Sequence, residues 1–458
     1  MSDDDTGSGS PSRRIAAWSF GLSVVSVVAA GVVVAGLLHT PEPELTTAPP
    51  TTTTPPPSPE RPEYSYVTPS VTYPTQITGC DVVEPPSKGE FVAYLRDKSP
   101  GYDNPTYPWF SGPKALAMSE ALVGALPAGT EVEFASPEAS LYFRPIVSDE
   151  ESAPDLGGST DTSGTLLRGD ARGSLWVSVQ QNADPVPPCV AGALDARRTL
   201  GDGTVVDVQD TWSETDGERT LSRSATAYTT DGSRIHLSAS DSSYSGGEEK
   251  LSGTVPLSID ELVTLATLPA LRVTAPVPPG TGMPPTSCAA SVEGGPAIDR
   301  TTAARVGAAL AVVPLPGVTT DRPLGALWPA GYDAGTLCQA VQVTTPGSES
   351  ELRVAISGGQ DLPNTSETSS GRGSYDGTVT EFRTLADGSI VERREHHYAQ
   401  VGMEAGAQST QMTSRTVAVT RPSGGYVQAV SNAAVPVPPL SFEQLEAIVL
   451  APGLEVTS

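Results

Sequence analysis

Histidine, cysteine and lysine each occur only four times in this 458-residue chain. That scarcity removes several chemistries at the outset. No two of Cys80, Cys189, Cys288 and Cys338 stand in C-x-x-C spacing, so neither a zinc knuckle nor a thioredoxin-like site is expected. The one adjacent pair of histidines, His396 and His397, falls in an expected extended segment, where successive side chains point to opposite faces and do not readily share an ion. G-x-S-x-G, H-E-x-x-H, an EF-type Asp/Gly loop and the P-loop are all missing, and with them the spacings that those chemistries require. Ser111-Gly112-Pro113-Lys114 does match S-x-x-K. Pro113, however, is expected to begin a helix and leave Ser111 outside it, no K-T-G follows, and Ser431-Asn432-Ala433 does not complete S-D-N. No catalytic residue, cofactor or metal is expected.

Positive charge is also short, with 27 basic against 53 acidic residues and a net charge of −26. Such a surface repels phosphate backbones, so nucleic acid is not an expected partner. What the chain does have is an apolar run. Residues 15–38 hold 24 positions without a charged side chain directly after Arg13 and Arg14. As a helix this run covers roughly 36 Å, enough to cross a hydrocarbon layer of about 30 Å. The Arg pair on its N-terminal side places residues 1–14 in the cytoplasm and the rest of the chain outside, anchored to the cell membrane as a single-pass protein. A cleaved signal peptide is the alternative, against which Gly36-Leu37-Leu38-His39-Thr40 offers no good cleavage site. Residues 39–79 are dominated by Pro and Thr, and are expected to be a disordered, extended spacer reaching on the order of 100 Å from the membrane.

Arginine outnumbers lysine 23 to four, and Ala, Gly, Val, Thr and Pro abound, as a GC-rich genome writes. A short Arg-Arg tail, one span, a Thr/Pro stalk and an Asp/Thr/Val-rich exterior resemble the many single-pass envelope proteins of actinobacteria. The resemblance concerns layout and carries no site residues onto this chain.

An internal duplication organises the remainder. Arg198-Thr199-Leu200-Gly201-Asp202-Gly203-Thr204-Val205-Val206 recurs as Arg383-Thr384-Leu385-Ala386-Asp387-Gly388-Ser389-Ile390-Val391. Pro256 to Leu262 recurs as Pro439 to Leu445, 58 residues after the first landmark in one copy and 56 in the other. Order and spacing are kept, so two homologous extracytoplasmic domains are expected, 80–275 and 286–458, joined by the breaker-rich linker 276–285. In each copy alternating strands follow Asp-Gly turns, as at Val205–Val208 and Ile390–Val391. Ser258 with Glu261, and Ser441 with Gln444, give capping boxes that open a short closing helix, with Leu257 and Leu440 as staples. An opening helix runs from Ala115 to Leu126 in the first copy and from Arg300 to Val313, behind Asp299, in the second. The fold class is therefore α+β, each domain an antiparallel sheet with flanking helices.

The four cysteines lie in the exported part, where an even count implies two disulfides. Three pairings are open; Cys80–Cys189 and Cys288–Cys338 respect the duplication best. One segment breaks the duplication. The stretch between Cys80 and the first helix is much longer than its counterpart and holds Tyr102, Tyr107, Trp109 and Phe110. Two roles are open for these rings: plugging the end of the first sheet, or presenting a contact surface to a partner. The acidic run Asp149, Glu150, Glu151, Asp155 and Asp161 is expected to be a solvated loop. The expected function is that of a non-enzymatic binding or scaffold protein of the cell envelope, its partner an envelope protein or a glycan. A cell-wall-acting enzyme and an accessory subunit of a membrane secretion or transport complex are the alternatives.

Overall fold

Side-chain alternation decides how each copy folds. In Ser233–Ser240 the side chains of Ile235, Leu237 and Ala239 are fully buried, while the intervening Arg234, His236 and Ser238 face the other way. The computed structural model describes residues 65–86, 101–146, 158–182, 184–245, 248–290, 292, 295–331, 333–364, 378–400 and 409–456. The expected cytoplasmic tail 1–14, the expected span 15–38 and most of the expected spacer lie outside these residues. So do Asp149, Glu150, Glu151 and Asp155. No helix among the described residues is long and apolar enough to cross a membrane.

The first copy runs β1 (Tyr66–Val67), β2 (Val83–Glu84), α1 (Gly112–Gly124), β3 (Glu131–Val132), β4 (Ser159–Arg168), β5 (Ala171–Gln181), β6 (Cys189–Val190) and β7 (Ala196–Thr199). It continues with β8 (Val205–Thr215), β9 (Glu218–Tyr228), β10 (Ser233–Ser240), β11 (Ser242–Ser245), β12 (Glu248–Leu251) and α2 (Ile259–Ala266). The second runs α3 (Arg300–Ala311), β13 (Thr319–Thr320), β14 (Trp328–Ala330), β15 (Asp333–Thr345), β16 (Ser348–Ser357) and β17 (Val379–Thr384). It closes with β18 (Ile390–Gln400), β19 (Thr410–Thr420), β20 (Tyr426–Ala434) and α4 (Phe442–Val449).

Each copy builds one eight-stranded sheet, and the two sheet paths coincide. The path β3-β4-β5-β10-β9-β8 with β7 on β8 matches β13-β15-β16-β20-β19-β18-β17, every pairing antiparallel. The fold is α+β and mostly β. Helices cover one face of each sheet: Met118, Leu122, Leu262 and Leu265 meet Leu175, Val177, Ile235 and Leu237 in the first core. Val306, Leu310, Leu445 and Ile448 meet Leu352, Val354, Val417 and Val427 in the second.

The repeated letters acquire physical roles here. Gly203 and Gly388 both take φ of +84° in the turns that join β7 to β8 and β17 to β18, a backbone region where a β-carbon is disfavoured. Both capping boxes form, Ser258 with Glu261 and Ser441 with Gln444, so each closing helix starts with its first amides satisfied. Arg223 and Arg415 occupy the same register position. Each pairs across the strand, with Asp210 at 2.9 Å and Glu395 at 2.6 Å, and each donates to the carbonyl just before a capping box, Leu257 or Leu440. One side chain thus ties sheet to helix entry in both copies.

One boundary differs from the sequence reading. The spacer does not extend to residue 79: Tyr66 lies opposite Thr215 and Val67 opposite Glu214 on the edge of β8, Thr78 bridges Ala196, and Ile77 is buried. Pro/Thr-rich composition masks these few apolar residues, which find partners only on a strand far away in sequence. The connection 276–285 is held from both sides, with Met283 pressed on Gly112 and Arg322 donating to Pro284 O at 3.0 Å. Just before it, Lys114 Nζ donates to the carbonyls of Arg272, at 2.9 Å, and Ala275. Phe134 of the first copy packs against the second core, lies tilted beside Trp328 with ring centroids 5.8 Å apart, and sits under the Arg300 guanidinium, which is 5.0 Å from its ring. Both copies belong to one compact unit, Tyr64–Ser458.

Candidate functional site

The sequence-selected residues separate into groups that the fold does not bring together. Two disulfides form, Cys80–Cys189 and Cys288–Cys338, with Cα separations of 6.2 and 5.7 Å, inside the range that native bridges use. They suit an extracytoplasmic domain. The bridges are not equivalent, however: Cys189 follows β5, whereas Cys338 sits within β15, the counterpart of β4.

The aromatic segment packs against the first core. Phe110 is 4% exposed, Tyr102, Tyr107 and Trp109 are partly buried beside it, and Tyr107 lies so close to Gly158 that a β-carbon there would stand 2.4 Å from the ring. Tyr102 donates its hydroxyl to Phe143 O at 2.8 Å, and burial pushes its pKa up to about 12. Of the two roles open to these rings, the plug is the one the contacts describe. Asp161 corrects the solvated-loop expectation: it lies on β4, 3% exposed, paired with Arg144 Nε at 2.7 Å.

The S-x-x-K match is structural. Ser111 caps α1 and its hydroxyl accepts from the Lys114 backbone amide, while the Lys114 amine turns away to the Arg272 and Ala275 carbonyls. Burial, opposed by Asp231, lowers that amine to about 8. His236 bonds Thr226 at 2.7 Å and is held at about 4 by burial and by Arg234. His396 and His397 do point apart, toward Thr378 and Thr413 respectively. Among the described residues no group of three His, Cys, Asp or Glu side chains is arranged to hold a metal.

A different set of residues converges on the face of the second sheet that its helices leave open. Register places Gln342, Glu351, Asn432, Ser414 and His396 in one line across β15, β16, β20, β19 and β18. The next line on the same face carries Ala434, Met412 and Tyr398. Gln342, Glu351 and Asn432 of the first line, with Ala434, Met412 and Tyr398 of the second, line a groove of about 520 Å³. At its margin the Tyr398 ring stacks on that of His396, with centroids 5.5 Å apart and planes 9° apart. Arg353 pairs with Glu351 at 2.8 Å and leans on Ala289 O, and its buried Nε finds no acceptor among the described residues. The side-chain amides of Gln342 and Asn432 have no hydrogen-bond partner among the described residues. A flat ring, two uncommitted amides and an ion pair thus face one open groove.

The first copy lacks all of this at the same positions. Its corresponding line reads Thr165, Ser174, Ser240, Ser222 and Thr211, hydroxyls throughout. Fifteen residues separate Ser240 from Pro256, against six between Asn432 and Pro439. The surplus forms the β11–β12 hairpin, which is tied to this face by Arg172 Nε on Ser243 Oγ at 3.0 Å. Sequence reasoning missed the groove, although lining up the two copies beyond their matching letters would have exposed the substitutions.

No protein-family model and no curated protein matches the chain. Among solved structures a weak likeness exists to the tail fiber of Staphylococcus aureus phage P68, with a TM-score of 0.12 and 9% identity, over 56% of this chain and 58% of that one. The chain therefore spans just over half of that fiber's length, and the likeness carries no argument about fold or function.

Proposed function

We propose that this chain is a non-enzymatic binding protein of the cell envelope, tethered through residues 15–38 with its N-terminus cytoplasmic, and that it engages an envelope component through the open face of its second sheet. The observation that carries the reading is the asymmetry between copies. One scaffold is used twice, yet among the described residues it is the second copy that pairs an open groove with amide side chains that no described residue engages. Two disulfides support an oxidising, extracytoplasmic setting. The Lys114 amine, committed to backbone carbonyls, supports a structural role for the one motif that resembled catalytic machinery.

A photoreactive residue placed at 398 or at 412 in the full-length protein on intact cells tests this directly. Adducts with an envelope component should form from both positions and be absent from the matching first-copy positions, 213 and 220. Equal labelling from both copies, or none from either, would remove the second sheet as the binding face.

A further inference from the structure

Resting on that reading, we infer that the groove on the second sheet takes a short neutral oligosaccharide. The lining supplies the two things a pyranose needs. Tyr398, braced by the stacked His396 ring, offers a flat surface for the C–H face of a sugar. Asn432 and Gln342 lie in the same cross-strand line, on either side of Glu351. Each amide offers two donors and an acceptor, and the carboxylate accepts, so vicinal hydroxyls can donate and accept at once.

Strands repeat at about 4.8 Å, so this line presents a polar group at each step across the sheet. An extended chain of rings fits such a groove better than a compact ligand. Charge selects against acidic polymers: Glu349 and Glu351 outnumber Arg353 in the lining, and the whole chain carries −26. A peptide is the weaker fit, because the groove floor is the middle of a sheet whose backbone groups are already paired, leaving no edge for strand addition.

Saturation-transfer NMR on the full-length protein tests the inference, with chitotriose and cellotriose as neutral probes and a poly(glycerol phosphate) as the anionic one. Ring protons of at least one neutral probe should receive saturation. Tyr398→Ala and Asn432→Ala should each weaken that binding at least tenfold, Tyr398→Phe should retain it, and Ser240→Ala, at the matching first-copy position, should leave it unchanged. An unaltered thermal transition in Asn432→Ala separates lost contact from lost fold. No transfer to either neutral probe overturns the inference, as does transfer that survives both alanine variants or preference for the anionic polymer. If adducts from position 398 are with a protein while neither sugar responds, the binding face stands and its sugar ligand falls; if position 398 gives no adduct and no sugar binds, both fall.

Discussion

On the faces covered by helices the two copies are hard to tell apart; on the opposite faces they share little. Arg223 and Arg415 make the same cross-strand pair and the same bond to the carbonyl before a capping box. Met118 and Leu122 of α1 are matched by Val306 and Leu310 of α3, with the same spacing from their caps. On the open side Ser174 is replaced by Glu351, Ser240 by Asn432 and Thr211 by His396. A buried face is held by packing, which tolerates few changes of volume. An outward face is constrained only by register and solubility, so it is where duplicated scaffolds are free to diverge in what they bind.

If the buried faces are equivalent, removing equivalent atoms must cost the same. Leu262 and Leu445 are both fully buried at the fourth position of their closing helices. Leu262→Ala and Leu445→Ala should each lose about 2–5 kcal/mol in urea unfolding. A loss near zero at either site would break the equivalence.

The opening helices allow a finer cut. Eight residues after its cap α1 has Ser119, which donates to Ala115 O at 2.8 Å and accepts from Phe143 N at 3.0 Å. At the same position α3 has Gly307, where a β-carbon would stand 2.2 Å from the Gly325 carbonyl oxygen. Backbone cannot swing aside as a side chain can. Gly307→Ser should therefore cost about 3 kcal/mol and Ser119→Gly about 1 kcal/mol, by the same urea assay. Equal losses would show that the α3 approach is looser than its geometry indicates.

Between pH 4 and 6.5 acid should distinguish the copies most through one pair, His236 in the first and Gln428 at the same register position in the second. Burial and Arg234 hold the His236 imidazole at about 4, below its ordinary 6.5. Between those values the unfolded chain binds the proton that the folded chain refuses, so stability falls as pH drops from 6.5 toward 4. The loss attributable to this group is on the order of 2 kcal/mol by pH 4.5. Asp231 does not contribute in that window: burial pushes its carboxyl up, but hydrogen bonds from Thr229, Thr274 and Ser233 outweigh it and hold it at about 2. His236→Gln, copying the second lobe, should flatten the pH 4–6.5 segment of the unfolding free energy. An unchanged slope would assign the acid sensitivity elsewhere.

These contrasts also explain what the sequence disclosed. Both capping boxes and the Asp-Gly turns are local signals, set by residues within a turn or two of one another, and they appear where they were expected. The groove is not local. Gln342 and Asn432 are 90 residues apart in the chain and meet only because both pair with Glu351. The same reason hid Tyr66 and Val67 within a Pro/Thr-rich spacer and Asp161 at the end of an acidic run, since their partners, Thr215, Glu214 and Arg144, are defined by the sheet. The aromatic segment was conspicuous, yet its composition did not distinguish a plug from a contact surface; only the contacts with Phe143 and Gly158 do so.

The smallest expected effect concerns the cover on the first lobe. The β12 strand is exposed along its whole length, and in β11 Ser242 and Ser243 are buried while Tyr244 is exposed. Joining Asp241 directly to Ser252 removes the hairpin while keeping Asp241, whose carboxylate accepts from the Leu221 amide at 2.8 Å. Because none of the described excised residues belongs to the first core, the loss should be about 1 kcal/mol or less, a melting shift of a few degrees. The shortened lobe should still bind no sugar. Thr165, Ser174, Ser240, Ser222 and Thr211 place short hydroxyls where the second lobe has amides and a carboxylate, and Ser174 and Ser240 already bond one another at 2.8 Å. If excision instead gave the first lobe the affinity of the second, the hairpin alone would account for the difference, and the identities of Gln342, Glu351 and Asn432 would be incidental to recognition.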